Sequence, residues 1–241
     1  MEWLDEAIVL SARPHGESSA VVTLLTERHG RHAGLVRGGQ GPKARAIYQA
    51  GNRVRAQWRA RLADHLGNFA CEPLASHAAR LFDDPGRLAA LTAAAAVSER
   101  ALPEREPHPA CYHGFLALLA AMEGDYWAEA YVRWELALLA ELGFGLDLTR
   151  CAAGGDNDRL AYVSPRTGRA VSLAAGEPYR ERLLALPGFL AGRGGGGPLE
   201  VGAGLALTGY FLERHVFHPQ DRELPQARRR LAEAVPAGAQ T

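Results

Sequence analysis

The sequence predicts an α+β protein, with a small antiparallel β-barrel at the N-terminus and then an α-helical domain interrupted by a small hairpin insert. Three observations predict it. Residues 1–75 hold five short apolar or β-branched stretches separated by glycine-rich turns. After Pro73 the texture changes to alanine and leucine at helical spacing. Between residues 151 and 173 a polar loop and two short runs interrupt the helical pattern. The expected boundaries are 1–75 for the barrel, 76–150 for the first part of the helical domain, 151–185 for the insert and 186–241 for the rest.

The elements follow in order. Residues 7–12 (AIVLSA) form a first strand, with turn chemistry at Arg13-Pro14-His15-Gly16. Residues 19–26 (SAVVTLLT) are β-branched and make a second strand, and 31–37 a third. Residues 39–43 (GQGPK) read as a flexible loop. The clearest strand lies in 52–62, where Arg53, Arg55, Gln57, Arg59 and Arg61 alternate with Val54, Ala56, Trp58 and Ala60. At a period of two, the arginines share one face and the apolar set the other. Residues 67–71 complete the barrel, stopped by Glu72-Pro73.

Helices are predicted over 85–101, with Asp83 or Asp84 as N-cap and Pro85 at the first position, and over 111–122. Asp125 is the expected cap of a helix over 126–142, in which Trp127, Tyr131, Trp134, Leu138 and Leu142 make an apolar stripe and Gly143 a stop. Strands at 160–163 and 170–173 flank a turn in the insert. Residues 192–197 read as a flexible glycine connector, followed by helices over 205–216 and 225–234.

The net charge of zero conceals a strong asymmetry. Residues 1–61 carry ten basic and five acidic side chains, whereas residues 62–150 carry six and thirteen. From Arg28 to Ala63 there are nine basic residues and no carboxylate, which points to a polyanionic partner for the barrel. Three scattered cysteines, Cys71, Cys111 and Cys151, fit a reducing compartment. No apolar run is long enough to span a bilayer, and the acidic start is no secretory leader, so a cytoplasmic location is expected.

Enzyme signatures are missing. The sole lysine, Lys43, follows proline, so there is no phosphate-binding Walker loop. The glycine run 192–197 matches a dinucleotide spacing without a preceding strand, and Asp156-Asn157-Asp158 lacks the rest of a calcium loop. His29-x-x-His32 and His215-x-x-His218 have spacings that a metal uses on a helix, but the first pair lies at a strand–turn–strand junction and the second has no nearby third ligand, and no metal or cofactor is expected. Single strands are held by cations tracking phosphates and by flat groups under bases. Arg31, Arg37, Lys43, Arg45, Arg53, Arg55, Arg59 and Arg61 are the candidate track. Tyr48, Trp58 and Phe69 are the available aromatics, with Trp58 expected inside the barrel.

Three segments carry a resemblance. AIVLSARPHGESSAVVTLLTERHGRHAGLVRGG (7–39), RWELALLAELGFGLDLTRC (133–151) and YVSPRTGRAVS (162–172) resemble the RecO family of bacterial recombination mediators, and the tail around DRELPQARRRL (221–231) is compatible. The resemblance implies an N-terminal OB-fold barrel and a helical domain with a small zinc-finger-like insert. It implies binding of single- and double-stranded DNA, annealing of complementary strands, and work with RecR to load RecA onto DNA coated by single-strand-binding protein, at the nucleoid. Many members hold zinc with two CxxC pairs in the insert. Here Cys151 stands at the first ligand position, Gly154 at the second, and no cysteine follows, so a four-thiolate site is impossible.

The resemblance also supplies the acidic C-terminal tail of single-strand-binding protein as a partner of the helical domain. Arg133, beside the apolar stripe, is the candidate contact; its plainer role is an i, i+4 neighbour of Glu129 on the solvent face. Whether Arg228, Arg229 and Arg230 touch DNA is left open. The rival functions are an RNA chaperone using the same barrel and a small nucleic-acid enzyme, the latter disfavoured by the carboxylate-free basic segment.

Overall fold

The computed structural model describes residues 1–154, 157–194 and 196–235. Asp156 and Gly195, within two motifs noted above, lie outside the described residues. The chain divides into two compact units, Met1–Leu119 and Ala120–Thr241, the division falling in the last turn of one helix.

In the first unit, five strands, β1 (Glu2–His15), β2 (Ser19–Thr26), β3 (Gly30–Val36), β4 (Arg53–Arg59) and β5 (Asn68–Ala75), form a barrel in the order β1-β2-β3-β5-β4. β1 is more than twice the expected length: its N-terminal half pairs with β4 and its C-terminal half with β2, with a register shift between Val9 and Ser11. Arg13, Pro14 and His15 therefore belong to the strand, and the turn begins at Gly16. A long strand bent at a bulge can hydrogen-bond on both edges, which is how so small a sheet curls round. Four pairings are antiparallel. The last, β3 to β5, is parallel and rests on the single pair Leu35–Asn68, so the ring closes at one point. β5 runs on through Glu72 and Pro73, past the predicted stop.

The alternation in β4 holds: Val54, Ala56 and Trp58 point inward. They meet Ala7, Val9, Val22, Leu24 and Val36 in the barrel core. The expected loop after β3 contains a short helix, α1 (Pro42–Ile47), started by the proline at its first position. Buried Asn52 ties three segments together. Its side-chain amide donates to the carbonyls of Ala46 and Ile47, and its oxygen accepts from Ala78 N–H at 3.1 Å, in α2 (His77–Arg80).

α3 (Pro85–Ala101) matches the sequence reading, with Asp84 accepting from the backbone N–H of Arg87 at 3.0 Å. Its small side chains let it lie close against the barrel. Near its C-terminus Glu99 accepts from the Ser11 hydroxyl at 2.7 Å and from Arg13 at 2.9 Å. The segment after α3 then runs beside Gly30, whose φ of 63° already favours glycine; a Cβ there would fall 2.0 Å from the Glu106 carbonyl oxygen.

α4 (Pro109–Ala121) leads into the second unit. There α5 (Trp127–Glu141) packs on α7 (Pro198–Leu212). Tyr126, not Asp125, takes the N-cap position of α5, and no side chain caps it. Gly143 follows its end at φ 88°. Tyr131, Trp134 and Leu138 of the predicted stripe are buried. β6 (Leu160–Val163) and β7 (Ala170–Ser172) form the predicted hairpin, followed by α6 (Leu173–Gly176) and a third strand, β8 (Leu184–Ala185), that the sequence reading missed. α7 begins seven residues earlier than expected and runs into a π-helical turn at Glu213–Phe217, before α8 (Gln226–Ala234).

Between these helices sits a buried ion pair. Arg228 donates from Nε to Glu135 Oε1 at 2.6 Å and from Nη2 to Glu135 Oε2 at 2.9 Å, with relative exposures of 1% and 0%. A further bond from Arg228 Nη2 reaches the Leu205 carbonyl at 2.7 Å, and the Thr208 hydroxyl donates to Glu135. One residue from each of α5 and α8 is thereby locked to α7.

Candidate nucleic-acid interface

The basic face of β4 is not bare. The long first strand runs antiparallel beside it, with Glu2 opposite Arg59 and Glu6 opposite Arg55. Arg53 Nη2 lies 2.7 Å from Glu6 Oε2, and Arg59 Nη2 lies 2.8 Å from Glu2 Oε1. The arginines of β4 share an outward face, but two of them already have carboxylate partners. The count of nine cations without a carboxylate described the segment and not the surface. Its neutralising residues come from the other end of the barrel sequence.

Arg31 is held differently. Its Nε donates to the Leu102 carbonyl at 2.8 Å, and its own carbonyl accepts from Arg105 N–H, so it pins the segment after α3 to β3. Five candidates remain exposed with no ion pair among the described residues: Arg37 at the end of β3, Lys43 and Arg45 on α1, Arg55 on β4, and Arg61 beyond β4. Three of these fall within the nine residues from Arg37 to Arg45.

Tyr48, Trp58 and Phe69 are all buried in the barrel, which leaves none of them as a base-stacking platform. Trp58 is held by a bond from its indole Nε1 to the Leu66 carbonyl at 2.9 Å. Burial lifts the Cys71 thiol to about 11, against a weaker opposing bond from Tyr48, so it stays protonated near neutral pH and is no nucleophile there.

One site escaped the sequence reading. At the open end of the barrel Trp3 stacks on His29, with ring centroids 4.2 Å apart and planes 8° from parallel. It also lies parallel-displaced to Trp58 at 5.8 Å and edge-on to His32 at 5.1 Å. These rings, with Arg28 and Arg105, line a cavity of ≈ 450 Å³. The histidine pair was visible in the sequence as a weak metal half-site. Its real neighbours, Trp3 and Trp58, are some 26 residues away on either side, and no periodicity could have connected them. Among the described residues no group of three or more His, Cys, Asp or Glu side chains stands where it could hold a metal ion.

In the second unit Arg133 is exposed but anchored. Its Nη2 donates to the Phe189 carbonyl at 3.0 Å and its guanidinium lies 5.2 Å from the Phe189 ring centroid. Glu129 is buried, so the alternative of a solvent-exposed i, i+4 pair is not what forms. Arg228 is enclosed by the ion pair described above and cannot reach DNA. Arg229 pairs with Glu223 at 3.1 Å, and Arg230 is exposed. Cys151 is buried against the hairpin, where its sulfur accepts from Ser172 N–H at 3.3 Å and its own N–H donates to Asn157. No described helix is long and apolar enough to cross a membrane.

A five-stranded barrel closed by one parallel pair, followed by a helical region, defines an OB-type barrel protein with an α-helical extension. Comparison with known proteins narrows this. The family description "Recombination protein O N terminal" matches residues 1–76, and "Recombination protein O C terminal" matches residues 83–224. The chain is 61% identical over 235 residues to the DNA repair protein RecO of Rhodospirillum centenum, covering 97% of this chain and 94% of that one. It is 56% identical to the RecO of Phenylobacterium zucineum over 230 residues and 95% of each chain. With the RecO of Rhodospirillum rubrum it shares 54% identity over 248 residues, 98% of this chain and 96% of the other. The chain belongs to the RecO family.

Proposed function

We propose that this protein is a DNA-binding recombination mediator of DNA repair. It binds single- and double-stranded DNA, anneals complementary strands, and helps load RecA onto DNA coated by single-strand-binding protein, in concert with RecR. It works in the cytoplasm at the nucleoid, without a cofactor and without making or breaking covalent bonds. The observation that carries the reading is the set of five exposed cations on the barrel, Arg37, Lys43, Arg45, Arg55 and Arg61, that have no carboxylate partner among the described residues, while Arg53 and Arg59 do. Two DNA strands repel through their phosphates, and a surface that cancels part of that charge lowers the barrier to their meeting. Arg53 and Arg59 share the outward face of β4 with Arg55 but are engaged by Glu6 and Glu2, and Arg31 is engaged by the Leu102 carbonyl. Family membership favours DNA over RNA, which a small barrel alone does not distinguish.

For the acidic tail of single-strand-binding protein the reading places contact at Arg133. Arg133 is an exposed cation held in place by the Phe189 carbonyl and ring, which suits it to pair with the carboxylates of an acidic peptide end. The decisive experiment is annealing of complementary oligonucleotides by the full chain with no nucleotide present. Acceleration over the spontaneous rate is expected, and a rate equal to the protein-free control overturns the proposal.

A further inference from the structure

The insert of the second unit holds an exposed aromatic ring among unpaired cations. Residues 159–193 contain six arginines and two carboxylates, Glu177 and Glu181. Arg169 lies 3.6 Å from Asp147, Arg180 lies 3.5 Å from Glu177, and Arg193 donates to the Leu160 carbonyl. Arg159, Arg166 and Arg182 are exposed and have no ion pair among the described residues. Tyr179, 60% exposed, stands in a 3-10 turn, Glu177–Arg182, of which every residue is exposed. A ring left in water adds little to folding, yet the turn that carries it is fixed to β6. The Tyr162 hydroxyl donates to Glu177 at 3.1 Å, the Leu183 N–H donates to the Arg180 carbonyl at 3.2 Å, and a Cβ on Gly176 would collide with the Tyr162 ring. Cations flank the ring on both sides. Arg159, Leu173 and Glu177 line one hollow of ≈ 470 Å³, and the turn from Glu177 to Arg182 lines the next, of ≈ 390 Å³. Arg182 ends the turn just before β8, whose Leu184 pairs with Val163, the last residue before the hairpin turn that carries Arg166. The order across the face is thus Arg159, Tyr179, Arg182, Arg166.

We propose that this face of the insert is a second single-strand contact, in which Tyr179 carries one base and Arg159, Arg166 and Arg182 meet phosphates. Stacking needs an accessible ring, which the buried Tyr48, Trp58 and Phe69 do not offer, and cations set along the ring track the backbone. A nucleic acid supplies a flat group and a charge at every unit, matching a ring set between cations. Glu181 is the one carboxylate of residues 159–193 without an ion pair among the described residues, so the three free arginines leave the face positive. Joining two strands requires holding both of them. The unpaired cations of the barrel serve one strand, and a contact on the other unit gives the second its own place.

This inference rests on the nucleic-acid reading, and the test separates the two. One thymidine oligomer is immobilised, the full chain is bound to it, and a second, labelled thymidine oligomer is added. Two such strands cannot pair, so the label is retained only where the protein holds both. Wild type is expected to retain it. Tyr179→Ala removes the platform of one stacked base and is expected to weaken retention about 10-fold. Arg159→Ala, Arg166→Ala and Arg182→Ala together are expected to weaken it at least as much. Binding of the first strand stays unchanged in both variants, and Tyr179→Phe, which keeps the ring, behaves as wild type. All four positions are exposed, so the fold, checked by circular dichroism, is expected to be intact. Failure of wild type to retain the label overturns the second contact and leaves one-strand DNA binding standing. Retention that survives both the Tyr179→Ala and the triple arginine variant overturns it too, the second strand then lying elsewhere and this face serving a protein partner. If the chain does not bind the immobilised strand, both readings fall together.

Discussion

Replacing Glu135 by leucine removes the partner of an arginine with almost no access to water. Arg228 would lose its two bonds of 2.6 and 2.9 Å to the carboxylate and keep the Leu205 carbonyl, at the centre of the second unit. Breaking a buried pair from one side strands a charge, at a cost of about 3–5 kcal/mol. For a chain of this size each kcal/mol moves the melting temperature by about 2–4 °C, so a fall of about 6–20 °C is expected in thermal denaturation followed by circular dichroism. The same reasoning makes a second, sharper claim. The double variant Glu135→Leu with Arg228→Met removes both charges together and puts apolar volume in their place, so it should recover most of the loss. A single variant that melts within about 2 °C of wild type would show that Arg228 finds another partner or water. A double variant as unstable as the single one would show that the pair contributes shape, through Thr208 and α7, and not charge compensation. The DNA binding proposed for the barrel serves as the control, since every residue of this network lies in the second unit.

Three further outcomes follow from the geometry. Oligonucleotide affinity should fall with salt at a log–log slope of about −3.5 for five phosphate-facing cations, and replacing Lys43, Arg45 and Arg55 together by Ala should flatten it by about 2, whereas Arg53→Ala with Arg59→Ala should change it less because Glu6 and Glu2 already engage those side chains; a slope near zero refutes the phosphate-dominated surface. Exhaustive chelation should leave the melting curve unmoved, because Cys151 is the sole cysteine of the insert and its sulfur is taken up by the Ser172 N–H; stoichiometric zinc by elemental analysis would refute this. His32 is neutral in the folded barrel at about 4 but titrates near 6.5 when unfolded, so the unfolded chain binds the extra proton. Stability should therefore decline as pH drops from about 6.5 toward 4, by about 3 kcal/mol at most, and level off below, and His32→Phe should lack this component in denaturant titrations.

Local chemistry was legible wherever one element's own residues decided it. The arginine–apolar alternation of β4 reads directly as a two-faced strand, because side-chain direction in a strand is set by parity alone. α3 was placed to the residue since Asp84 accepts a first-turn N–H and Pro85 has no N–H to lose. β1 was read at less than half its length, since its outer residues are strand only by virtue of pairing: in Glu2 to Glu6 the apolar Trp3 and Leu4 are adjacent and flanked by carboxylates, so no period-two alternation shows until β4 lies beside them. Likewise Asp125 had the composition of a cap but not the geometry, and β8 is two residues long, below what a pattern can announce.

The sequence by itself determined the family resemblance, the barrel-then-helices order, the inward Trp58, and the impossibility of a four-cysteine metal site, all of which depend on residue identity and short-range periodicity. Only the tertiary structure decided which cations face solvent unpaired and which do not. Glu2 and Glu6 reach Arg59 and Arg53 across 57 and 47 residues of chain, and Arg228 meets Glu135 across 93. Histidines 29 and 32 come to line an aromatic cavity only when Trp3 and Trp58 arrive from other strands. Charge and ring contacts act over a few ångströms in space, and the chain brings such residues together only by closing the barrel or packing its helices, so no window along the sequence contains the information.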